Sequence, residues 1–94
     1  MNLTYNANVL CAAERVVGKT MIAICTELES DEGVSLSTLR ALVAAGRAGA
    51  QYGDGILVHL DEFAAGRLID QHGNGACVEA VGKALKAYIE RSAA

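Results

Sequence analysis

Proline is absent from this chain, so helix boundaries have to be read from glycines, capping residues and changes of hydrophobic period. Tryptophan is absent too, and aromatics make up only 4% of the 94 residues. A core without large rings must be knit from small aliphatic side chains, which lets helices pack closely and builds few deep small-molecule pockets. The cysteines, Cys11, Cys25 and Cys77, form an odd set of three, and no two make a Cys-x-x-Cys pair. With only His59 and His72 beside them, a zinc site would need four ligands from distant segments, so no metal and no other cofactor is expected. Free thiols packed on apolar helix faces are the expectation for all three.

The chain also lacks a run of about 18 apolar residues able to span a bilayer. It shows no charged start leading into an apolar stretch and a small-residue cleavage site, so a cytoplasmic protein with no membrane partner is expected. An excess of positive charge is missing as well: 8 Lys and Arg stand against 11 Asp and Glu, a net charge of −3. That removes the electrostatic footprint of a nucleic-acid binder. What the chain does have is 52% apolar residues in a length suited to one core, so residues 1–94 are read as a single domain.

The period of those apolar residues is helical. Asn6 serves as an N-cap between the staple residues Tyr5 and Leu10, and Val9, Leu10, Ala13, Val16 and Val17 make the stripe of a first helix ending at Gly18. A second helix from about Lys19 carries Met21, Ile24, Cys25 and Leu28, then gives way to the polar loop 29–33. Ser35, flanked by Val34 and Leu39, caps a third helix whose buried stripe is Leu36, Leu39, Leu42 and Val43. Its second half, Ala44-Ala45-Gly46-Arg47-Ala48-Gly49-Ala50, is small enough for another backbone to approach closely, although each glycine weakens the helix by about 1 kcal/mol.

Gly53-Asp54-Gly55 marks a turn, and Ile56-Leu57-Val58 is a short β-prone run able to pair with Leu3-Thr4-Tyr5. His59 and Glu62 have capping-box spacing, with Val58 and Phe63 as the staple of a fourth helix running to His72. Gly73 ends it, and Asn74 caps a fifth helix with Cys77, Val81, Ala84, Leu85 and Tyr88 on its inner face. The expected fold is all-α: a small bundle of about five short helices, with at most one minimal strand pair.

Catalytic constellations are sparse. Cys77 falls in the first turn of the fifth helix near His72, where the helix dipole favours thiolate, yet its place on the apolar stripe points to core packing. Gly53-x-Gly55 and Gly73-x-Gly75 lack the rest of a phosphate-binding loop and read as turns. Asp61, Glu62 and Asp70 read as solvated acids, the first two where a helix N-terminus favours negative charge. Arg40, Arg47 and Arg67 have the side chain that interfaces favour, though an ordinary solvated face is the favoured reading for each.

The order of four segments carries more. These are Leu3-Thr4-Tyr5-Asn6-Ala7-Asn8-Val9-Leu10-Cys11-Ala12-Ala13-Glu14, then Gly18-Lys19-Thr20-Met21, then Leu36-Ser37-Thr38-Leu39-Arg40-Ala41-Leu42-Val43-Ala44-Ala45-Gly46, and finally Ala65-Gly66-Arg67-Leu68-Ile69-Asp70-Gln71-His72-Gly73. In this order they resemble the tail assembly chaperones of long-tailed phages, in the branch found with gene transfer agents. Two features depart from that pattern: the lead-in before the first helix is short, and His59 stands where the family has serine or threonine. The resemblance implies a non-catalytic helper that binds the tape measure protein and tail tube protein in the bacterial cytoplasm during particle assembly. It also implies a homo-oligomer, for which Ala44-Ala45-Gly46 offers a close-contact face. The partner surface is expected on the third helix at Leu39, Arg40, Val43 and Arg47. Two rival readings are a structural adaptor retained in the particle and a thiol-dependent enzyme using Cys77.

Overall fold

A computed structural model describes residues 1–53 and 60–93. Among them are five helices and no strand: α1 (Ala7–Val17), α2 (Met21–Glu29), α3 (Leu36–Tyr52), α4 (Glu62–His72) and α5 (Asn74–Ser92). The third helix is the hub, packing against α1, α4 and α5, while α4 also packs against α5. Its burial shows the same thing, since Thr38, Leu39, Ala41 to Gly46, Ala48 and Gly49 are all buried. A helix apolar on nearly every side belongs at the centre of a bundle.

Local chemistry explains most of the boundaries. Asn6 has extended backbone and its Oδ1 accepts from the Val9 N–H at 3.0 Å. Gly18, at φ 75°, ends α1 in the left-handed region where a side chain is unfavourable. The second helix starts later than its apolar pattern predicts, at Met21. Thr20 caps it, and the Glu14 carboxylate reaches across from α1 to accept from the Met21 N–H at 2.7 Å. A carboxylate there satisfies an orphan donor and complements the helix dipole. Ser35 caps α3 by accepting from Thr38 N–H. Glu27 joins the two loops around it, pairing with Lys19 on one side and accepting from the Ser35 N–H at 2.8 Å on the other.

The fourth and fifth helices begin elsewhere than their patterns predict. His59, the expected cap of α4, and Val58, half of its expected staple, lie outside the described residues; the helix starts at Glu62 with Asp61 as cap, its Oδ1 accepting from Ala64 N–H at 3.0 Å. Asn74 makes no side-chain cap and is the first residue of α5. Gly73, at φ 87°, closes α4 and precedes α5 directly. Ile56-Leu57-Val58 also lies outside the described residues.

The other half of the expected strand pair, Leu3-Thr4-Tyr5, lies along α3. Thr4 N–H donates to the Gly46 carbonyl at 2.9 Å, and Tyr5, 1% exposed, donates its hydroxyl to the Leu42 carbonyl at 2.6 Å. Arg91 of α5 donates to the Tyr5 carbonyl at 2.9 Å, tying both ends of the chain to the hub. This approach is possible because Gly46 and Gly49 lack side chains: a Cβ on Gly49 would meet the Thr4 carbonyl oxygen at 1.9 Å. The small-residue face of α3 thus receives another backbone, but it is the chain's own N-terminal segment.

Candidate functional site

The expected partner surface on α3 divides. Leu39 and Val43 are 1% and 0% exposed, so they belong to the core and offer nothing to a partner. They share α3's inner faces with Leu42 because neighbouring helices cover this hub from several sides. Arg40 and Arg47 are half-buried and reach the surface. Leu36, expected in the buried stripe, is 60% exposed.

Leu36 and Arg40 instead line a groove of about 380 Å³ between the start of α3 and the length of α4, together with Phe63, Gly66, Arg67 and Asp70. Phe63 is 80% exposed. Its phase explains this. The cap is Asp61, two residues later than His59, and two residues turn a helix by about 200°. With this phase Leu60 and Ala65 take the staple positions and are buried, while Phe63 points outward.

The groove is electrostatically mixed. An Arg40 Nη2 lies 3.3 Å from Glu62 Oε1, and Arg40 Nε is buried with no partner among the described residues. Arg67 and Asp70 are exposed at its edge. An aromatic ring flanked by guanidinium groups is the composition that protein interfaces favour at their anchoring points, and the leucine beside it adds apolar area.

A second apolar surface lies on α1, α2 and α5. Two adjoining depressions of about 350 and 310 Å³ meet at Cys25, Leu85 and Ile89. Ile89 is 56% exposed, and Ile22, on α2, 82%. Sequence periodicity missed both surfaces, because it identifies which side of a helix is apolar without saying whether a neighbour reaches that far along it.

No protein-family model, curated protein or solved structure matches this chain.

The thiols separate in the same way as the third-helix residues. All three are unpaired, with Cys77 buried, Cys25 half-buried and Cys11 exposed. Cys11 therefore departs from its expected place in the core: it lies off the Val9, Leu10 and Ala13 face and lines the α1–α2–α5 depression. Val16 leaves the expected stripe too, at 45% exposure. Burial pushes the Cys77 thiol up from its ordinary pKa, the opposite of what a thiolate nucleophile needs. Burial and the Glu29 carboxylate push Cys25 in the same direction. His72 is exposed, and no group of three or more metal-ligating side chains occurs among the described residues. No helix among them is long and apolar enough to cross a membrane.

Proposed function

We propose that this chain is a non-catalytic, chaperone-like binding protein that covers apolar helical segments of tape measure and tail tube proteins while a phage or gene transfer agent tail assembles. The observation that supports this reading is the α3–α4 groove, where Leu36 and Phe63 stand 60% and 80% exposed beside Arg40 and Arg67. Burying a leucine or phenylalanine side chain is worth about 1.5–3 kcal/mol. Two such anchors supply about 3–6 kcal/mol, which association and ordering costs consume, so a reversible grip also draws on packing along the rest of the groove.

Physical logic connects that grip to assembly. A long helical scaffold protein exposes apolar stripes before its tube has polymerised, and such stripes aggregate unless something covers them. A groove running along α4 beside the start of α3 receives a helical stripe by packing contacts alone. Modest affinity then allows tube subunits to displace the helper. The named partners come from the segment resemblance; the groove supports the binding class.

The test is co-expression of this chain with a tape measure protein and a tail tube protein encoded beside it, followed by pull-down and sizing. A soluble complex that forms only when this chain is present, and is weakened by Phe63→Ser, is the expected result. Finding that neither protein binds the folded chain rejects the reading.

A further inference from the structure

We infer that the trough between α2 and α5 is a second docking site, and that its occupant is an amphipathic helix of another protein with Lys or Arg residues beside its apolar stripe. The inference begins with a mismatch between composition and burial in α2. Its sequence opens Met21-Ile22-Ala23-Ile24-Cys25, yet Ile24 is its only buried residue. A helix apolar on so much of its circumference is ordinarily covered, whereas α2 has no extensive packing against any other helix. Next to it α5 leaves Ile89 56% exposed, and the space between the two is an open channel with Leu28 and Val78 on its walls.

Charge identifies the occupant. The acids at the margin of this channel are Glu29 and Glu90, against the single base Lys86, while Glu14, in its continuation toward α1, already accepts from the Met21 N–H. Lys86 and Glu90 sit one helical turn apart at 4.0 Å on an exposed face, a pairing too weak to neutralise the margin. A basic-flanked helix would bury its stripe on Leu28, Val78 and Ile89 while its cations met these carboxylates. A second copy of this chain would bring the same acidic margins, and its net charge is −3. Strand addition has no sheet edge to join among the described residues. The trough shares no lining residue with the α3–α4 groove, so the two sites can be tested independently.

The probe is a synthetic amphipathic helix of about 18 residues, five turns, with a leucine stripe and lysine flanks, compared with a twin carrying glutamate in place of lysine. Added to the full chain, the basic peptide should slow alkylation of Cys25 and Cys11 by tenfold or more while leaving Cys77 unchanged. The acidic twin should have little effect. Added salt should weaken the protection, and Glu29→Lys with Glu90→Lys should reverse the preference. Ile89→Asp, at an exposed position, should keep the fold and lower peptide affinity at least tenfold. Phe63→Ser should leave the protection unchanged while weakening capture of the tail proteins roughly thirtyfold. The inference is overturned if neither peptide protects Cys25 or if both do equally. It is also overturned if protection rises with protein concentration alone, which would assign the trough to a second copy.

Discussion

Replacing Gly49 with alanine tests how the bundle is closed. Intrinsic helix propensity alone predicts stabilisation by about 1 kcal/mol in a helix interior. The structure predicts the reverse, because the new Cβ would lie 1.9 Å from the Thr4 carbonyl oxygen and 2.9 Å from its carbon. Neither is the flexible end of a side chain, so the N-terminal segment must move. Moving it strains or breaks the Thr4 to Gly46 and Tyr5 to Leu42 hydrogen bonds, each worth about 1 kcal/mol. It also partly exposes Tyr5, at a cost of about 1–3 kcal/mol by the measure of overpacked cores. Set against the propensity gain, the net loss is about 2–4 kcal/mol. Urea denaturation followed by circular dichroism should show the midpoint falling by about 1–4 M, given a slope of about 1–1.5 kcal/mol/M for a small domain. Gly82→Ala is the control: nothing lies within 4 Å of its Cβ position in the middle of α5, so it should gain up to about 1 kcal/mol. A Gly49→Ala protein as stable as the parent would refute the close approach of Thr4.

Three further outcomes follow from particular contacts. Tyr5→Phe should cost about 1–1.5 kcal/mol in the same denaturation experiment, since it deletes one buried hydroxyl bond and keeps the ring. Glu27 is held down from its ordinary pKa near 4.5 to about 2, first by the Lys19 ammonium and then by the Ser35 N–H. A carboxylate with a lowered folded pKa contributes stability that is complete above the unfolded value and lost as pH falls from about 4.5 toward 2. Glu27→Gln should flatten that part of the stability profile and, after allowance for solvent screening, cost about 1–2 kcal/mol at neutral pH. Phe63→Ser should leave stability within about 0.5 kcal/mol but weaken partner capture roughly thirtyfold, the equivalent of about 2 kcal/mol; equal capture by parent and variant would remove the α3–α4 groove from the proposed function.

Signals contained within four or five residues were legible in the sequence. Asn6 and Ser35 cap α1 and α3 as their spacing requires, and Gly18 and Gly73 end helices with positive φ. Phase was harder. His59 and Asp61 both precede the Phe63 run, and choosing the earlier cap assigns Phe63 to a buried staple, whereas the helix that forms turns it outward. The extent of cover was not legible at all: Leu36 lies in register with Leu39, Leu42 and Val43, but it occupies the first turn of α3 and remains open. The reverse holds at Leu39 and Val43, where a stripe that could have faced a partner is occupied by the chain's own helices. Both candidate surfaces arise where helices adjoin without closing, which depends on relative placement and leaves no periodic trace.

The small-residue face of α3 bears directly on self-association. Ala44-Ala45-Gly46 was the expected contact between copies, but all three are buried, and Leu3 and Tyr5 already approach Gly46. A second copy could use this face only by displacing the N-terminal segment, which would break the Thr4 and Tyr5 hydrogen bonds and the Arg91 bond to the Tyr5 carbonyl. At about 1 kcal/mol each, with the burial of Tyr5 in addition, that loss exceeds what a face of alanines and glycines returns. A homo-oligomer must therefore use surfaces that are open, and the largest exposed apolar side chain beside an interhelical groove is Phe63. Self-association and partner capture would then compete for one groove. Sizing the chain alone and with its partner decides the point: an oligomer that persists when the partner is bound, or that survives Phe63→Ser, contradicts a shared groove and moves self-association to the α1–α2–α5 surface, while one that dissociates as the partner binds supports it.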